Sequence, residues 1–232
     1  NQKNVADLTA PQLNYLVALT QALKARTQVL ATSWTVDFNG AGPYAALLRS
    51  PGATNTLYQT PGAVIQELVN GLITIASEVG TAKMSEPLGT SEATANTSLV
   101  ESQYSWNSLT DFHNNIQSIL NVYSGKRGFN PATDTLAATD NGLFAFVNAH
   151  DATLARLVHD QIIDAMQKIA LVKADGNPNT TEITGTAQPF RNQIRTAAGR
   201  ALIETAIASL GTLQTTLETR VLPLVASTTF SN

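Results

Sequence analysis

The sequence predicts an all-α fold: a helical bundle of about four long helices with short accessory helices, forming a single domain over residues 1–232. Apolar residues recur at i, i+3, i+4 and i+7 in several long stretches, which is the periodicity of a helix with one buried face. No stretch alternates with period two for long enough to make a strand. No repeat of 20–50 residues suggests a solenoid. Helices joined by loops, with no sheet to cover, bury their stripes against one another.

Thr9-Ala10-Pro11 is a helix start signal with Pro in the first turn, and Leu13, Leu16, Leu19, Leu23 and Val29 keep helical spacing to about Trp34. Phe38-Asn39-Gly40 stops that helix. Tyr44 to Arg49 reads as a short helix before the Pro51-Gly52 turn. The second long helix starts near Pro61, places Ile65, Leu68, Val69, Leu72, Ile75, Ala76 and Val79 on its stripe, and ends before Pro87. Residues 87–106 lack periodicity and form a long loop, a place where function often sits. The third helix is expected over Ser108 to Tyr123, closed by Gly125. A loop follows over 128–139, then a short helix from Asn141 to Asn148. A full helix is expected from Ala152 to Val172, capped by Asp151. After a polar linker over 173–188, the last helical region runs from Pro189 to about Leu222, with Gly199 marking a bend.

Composition removes several function classes. Charged residues are 13% of the chain, about half the usual share of roughly 25%, which suits a protein outside the cytoplasm. A net charge of −3 with no basic run gives no reason to bind nucleic acid or anionic lipid. The absence of cysteine rules out disulfides, thiolate metal ligands and a Cys nucleophile. No apolar run is long enough to span a bilayer, and the first residues have neither the basic nor the apolar region of a signal peptide. If the protein is exported, its leader is expected upstream of this sequence.

The third helix carries the strongest functional signal. At about 100° per residue, Leu109, Phe112, Ile116, Ile119, Leu120 and Tyr123 share one arc, a core stripe. Asn107, Asp111, Asn114, Ser118 and Asn121 fall opposite, and Asp111 is the only charge among them. A face turned to bulk water is usually richer in Lys and Glu. A row of amides and hydroxyls suits hydrogen bonding to a partner or ligand. The plainer reading is polar packing between helices, with Asp111 favoured early in the helix by the helix dipole.

The run Glu101-Ser102-x-Tyr104-Ser105-x-Asn107-Ser108-x-x-Asp111-Phe112-x-x-Asn115-Ile116-x-Ser118-Ile119-x-Asn121-Val122-Tyr123-x-Gly125 resembles the imelysin family, also known as insulin-cleaving peptidase-like proteins of the peptidase M75 type. Pro87-Leu88-Gly89, Pro189-Phe190-Arg191 and the ending Leu217-Glu218-x-x-Val221-Leu222-Pro223 are similar too. The resemblance implies a two-bundle protein of the periplasm or cell surface, often a lipoprotein, linked to bacterial iron uptake. Its hallmark G-x-H-x-x-E sits on the N-terminal bundle. No H-x-x-E occurs here: the histidines stand in Phe112-His113-Asn114, Ala149-His150-Asp151 and Val158-His159-Asp160.

The chain therefore resembles the C-terminal half, with the N-terminal bundle as its partner. Under the resemblance, Ser105, Asn107, Ser108, Asp111, Asn115, Ser118 and Asn121 form one wall of a metal- or ligand-binding site at the interface with that bundle. Asp111 is the metal candidate and iron the implied cofactor. Two rivals remain: a metallopeptidase half-site, which needs a metal with an open position and a base, and a structural or protein-interaction module. No catalytic residue is assigned, because no G-x-S-x-G or nucleophile–histidine arrangement is present. His113 and His159 read as surface residues, and Trp34 and Trp106 as core or interface anchors.

Overall fold

The computed structural model describes residues 4–230, which form two compact units: residues 4–64 with 229–230, and residues 65–228. Every regular element among the described residues is helical, so the fold is all-α.

In the first unit, helix α1 spans Ala10–Thr35. Thr9 and Gln12 make its reciprocal cap: the Thr9 N–H donates to Gln12 Oε1 at 2.9 Å. The Asp37 carboxylate accepts from the Gly40 and Gly42 N–H groups, closing the turn that ends the helix. Both glycines lie at positive φ, at 81° and 84°, where a Cβ would be strained. Helix α2 (Tyr44–Arg49) follows. Tyr44 is the hub of a small aromatic cluster, with its ring 5.0 Å from those of Trp34 and Phe38 and its hydroxyl 2.7 Å from that of Tyr58. Asn55 shapes the turn between α2 and the next helix, donating to the Leu47 and Ser50 carbonyls and accepting from the Leu57 and Tyr58 N–H groups.

The stripe expected along α1 meets a different fate. No residue of α1 is buried. Leu16, Leu19, Leu23 and Val29 are 46–64% exposed. Periodicity shows that the helix can bury a face. It does not supply the surface that covers it.

The second unit is the bundle. Helix α3 (Pro61–Glu78) starts in the first unit and enters the second at Ile65. It widens into a π-helical stretch, Val79–Ser85, and closes with one turn, α4 (Glu86–Leu88). Helices α5 (Ser108–Ser124), α6 (Leu143–His150) and α7 (Ala152–Leu171) come next. The short α8 (Phe190–Gln193) precedes α9 (Ala197–Thr216). That helix passes through a second π stretch, Leu217–Val221, into α10 (Leu222–Ser227). Each π stretch lies just ahead of a proline, Pro87 or Pro223. Proline lacks an N–H and its ring crowds the carbonyl four residues back, and a wider turn relieves that crowding.

Helix α7 lies at the centre and packs on α5, α6 and α9. The α5 stripe is buried as its periodicity predicts: Leu109, Phe112, Ile116, Ile119, Leu120 and Tyr123 are at most 1% exposed. Phe112 meets Phe190 edge-to-face at 5.2 Å. The Tyr123 hydroxyl donates to the Ala155 carbonyl at 2.7 Å, and burial pushes its pKa far above the ordinary range. Gly125, at φ 73°, ends α5 in the left-handed cap its sequence predicts. The Asp151 cap of α7 is also present, accepting from the Leu154 N–H at 2.8 Å.

Three details correct the expectations. Pro87 lies inside the last helical turn rather than beyond it. The short helix expected over 141–148 begins two residues later. Gly199 is no bend: it sits in the first turn of α9, where Thr196 Oγ1 accepts its N–H. A Cβ there would fall 2.4 Å from the Gln193 carbonyl oxygen.

Two buried cations fasten the loops to this bundle. Arg200 donates to the carbonyls of Leu88, Gly89 and Ile194. Lys173, wholly buried, donates to the Ala170 and Asn177 carbonyls and pairs with Asp175 at 2.6 Å.

Candidate functional site

The N-terminus of α5 and the loop before it hold the best-defined polar surface near the expected site residues. Lys83, on the first π stretch, pairs with Glu101 at 2.9 Å and Glu78 at 3.4 Å. Partial burial pulls the Lys83 pKa down, but the two carboxylates outweigh it and hold the ammonium above its ordinary value. That pair anchors the start of the loop. Two non-glycine residues of the loop, Ser102 and Trp106, adopt positive φ (54° and 61°). Such backbone persists only where its surroundings enforce it, and it recurs at functional sites. It turns Trp106 outward, 45% exposed, and Tyr104 is 75% exposed beneath the Arg191 guanidinium at 5.9 Å.

Behind Trp106 lies a cleft of about 310 Å³, whose lining includes Ser105, Asn107, Thr110, Thr181 and Glu182. Thr110 and Thr181 join across it through their hydroxyls at 2.8 Å. Asn107, the residue before α5, donates its amide to Asp111 Oδ1 at 2.6 Å. Asp111 has no ion-pair partner among the described residues.

The expected site residues thus separate by task. Ser105 and Asn107 line the cleft, and Asp111 hydrogen-bonds to Asn107. Ser108 is buried and donates to the Glu101 carbonyl at 2.5 Å, closing the loop. Ser118 donates to the Asn115 carbonyl at 2.6 Å. The Asn115 Oδ1 is buried without a hydrogen-bond partner, an unusual state for a polar atom. Asn121 accepts from Gln117 Nε2 and the Gly128 N–H, so its amide oxygen holds the following loop. Thr181 and Glu182 come from the non-periodic linker, where no motif marked them. Among the described residues no three His, Cys, Asp or Glu side chains come together as metal ligands. Asp111 with its neighbouring amide is too small a donor set to hold a cation by itself.

The structure also revises two histidines. His113, expected at the surface, is half-buried and lines a pocket of about 420 Å³ with Gln117, Phe129, Met166 and Gln167. Burial pushes its pKa down and favours the neutral ring. His159, expected on an exposed face, sets its ring edge-to-face with Phe129 at 6.1 Å, and its Nε2 is buried without a partner.

Similarity to known proteins follows the same lines. Iron-regulated protein A of Synechococcus elongatus is 29% identical over 220 residues, covering 94% of this chain and 54% of that protein. The solved structure of an imelysin peptidase from Bacteroides ovatus superposes with a TM-score of 0.73 at 27% identity, covering 92% of this chain and 54% of that one. A structure named as an iron-regulated protein A precursor, from Parabacteroides distasonis, gives a TM-score of 0.76 at 24% identity over 97% of this chain and 60% of that one. The chain therefore spans little more than half the length of these relatives. The imelysin family (peptidase M75) matches residues 1–217, nearly the whole sequence: the chain belongs to the imelysin family.

Proposed function

We propose that this chain serves in bacterial iron acquisition outside the cytoplasm, as the C-terminal bundle of a two-bundle imelysin protein. In this reading the polar face at the start of α5 is one wall of a metal- or ligand-binding site, and the N-terminal bundle supplies the other. The observation that carries the reading is the Asp111–Asn107 pair, a carboxylate without a cation partner beside an open cleft of hydroxyls and amides. Carboxylate and amide oxygens suit a hard or borderline cation such as iron, provided further ligands come from elsewhere. A relative named for iron regulation, nearly twice as long, is consistent with both parts of the proposal. So is α1, whose apolar side chains lack a cover among the described residues.

Calorimetric titration with iron and with zinc tests it, first on this chain alone and then with the N-terminal bundle added. Binding only with both halves, weakened by Asp111→Ala, is the expected result. No binding in either form sinks the metal site. If Asp111→Ala instead loosens the two bundles without changing metal affinity, the polar face is a structural contact. Peptide hydrolysis by the joined halves that follows metal loading would favour the metallopeptidase half-site.

A further inference from the structure

Another pocket, which shares Phe129 with the one that His113 lines, has a different chemistry. Its volume is about 300 Å³, and Phe129, Phe144, Asp134, Arg156 and His159 line it. That size is at the lower end for small-molecule sites, about 300–1,000 Å³. Phe129 and Phe144 are buried and make an apolar floor. Arg156 and Asp134 both reach the pocket, yet neither forms an ion pair among the described residues, with each other or with anything else. Asp134 is oriented by the Asn130 N–H at 2.8 Å and the Thr133 hydroxyl at 3.4 Å, which leaves acceptor capacity on its oxygens. The rim is tied down as well: Lys126 donates to the Thr135 carbonyl at 2.8 Å and pairs with Asp140 at 2.9 Å.

We infer that this pocket binds a small zwitterion with an apolar body, an apolar α-amino acid being the simplest case. Asp134 accepts from its ammonium group, Arg156 takes its carboxylate, and the side chain lies against Phe129 and Phe144. This site is separate from the α5 cleft and does not rest on the iron reading.

Titration of the 232-residue chain with L-phenylalanine, followed by amide NMR shifts, tests the assignment. Phenethylamine, which keeps only the ammonium, and 3-phenylpropanoate, which keeps only the carboxylate, serve as half-ligands. Saturable binding is expected, with shifts centred on residues 129–136, 144 and 156–159. Arg156→Gln should weaken L-phenylalanine roughly tenfold, the worth of one charge-assisted hydrogen bond, and leave phenethylamine unchanged. Asp134→Asn should weaken phenethylamine and leave 3-phenylpropanoate unchanged. Both positions are exposed, so neither variant threatens the fold. No saturable binding of L-phenylalanine at about 10 mM, well into the range that fills even weak sites, would overturn the proposal. So would binding that neither variant alters.

Discussion

Helices α1 and α5 are both long and both rich in apolar residues, yet α5 buries Leu109, Phe112, Ile116, Ile119, Leu120 and Tyr123 to within 1% exposure while Leu16, Leu23, Val29 and Leu30 of α1 stay 47–64% exposed. The two differ in pattern as well as in cover. Helix α5 gathers its apolar residues, Val122 apart, into one stripe and keeps amides and hydroxyls opposite. Helix α1 spreads Leu13, Leu16, Leu19, Leu23 and Leu30 with Tyr15 and Val29 over a continuous arc of roughly 200° at 100° per residue, with Lys24 and Arg26 as its only charges. A helix that is apolar over most of its circumference is built to be surrounded. A narrow stripe needs only one neighbouring layer. The breadth of the stripe therefore says how many partners a helix requires, and the structure says which of them are in place.

The sharpest way to break this comparison is to truncate one residue on each helix. Phe112→Ala, which empties the contact with Phe190, should cost about 3–5 kcal/mol in urea denaturation. Leu23→Ala should stay within about 0.5 kcal/mol, since an exposed position loses little. Equal losses would mean that α1 is covered in solution. A cost at Leu23 that appears only when the N-terminal bundle is added would identify the cover.

A smaller effect is expected from the bundle's buried polar ties, which α1 lacks. Arg200→Met keeps most of the side-chain length but leaves the Leu88, Gly89 and Ile194 carbonyls without their donor. The expected loss is about 2–3 kcal/mol by the same measurement. A neutral outcome would show that water replaces the guanidinium.

The smallest effect concerns acid. Burial holds the His113 pKa on α5 below its ordinary value of 6.5, and α1 carries no histidine. Between its lowered folded pKa and 6.5 the unfolded chain binds more protons than the folded one. The His113 contribution is therefore complete above pH 6.5 and is lost as pH falls through the folded value. His113→Gln should flatten that part of the stability–pH curve, measured by urea midpoints. An unchanged curve would place the acid sensitivity elsewhere, for example at Asp140, whose carboxyl the Ala137 N–H and Lys126 hold below the ordinary range.

Much of this could be read from residues in order. Helical spacing located α5, α7 and most of α9, because each presents one stripe to one core. Gly125 and Asp151 marked helix ends because a left-handed cap and an N-cap have few alternatives. The α5 polar row was visible for the same reason as its apolar stripe. Its division of labour was not: Ser108 and Asn121 spend their polar atoms on loops whose course no local pattern encodes. Thr181, Glu182 and the pocket at Phe129, Phe144 and His159 were equally invisible, since each joins residues far apart in the chain.

The sequence by itself determined the helical class, the family and the chemistry of each helix face, because periodicity and composition act within a few turns. The tertiary structure decided which apolar faces found cover, which polar atoms were consumed by loops, and which histidines were buried. Those outcomes depend on surfaces brought together across the chain, and burial and hydrogen-bond satisfaction are properties of such surfaces rather than of any one segment.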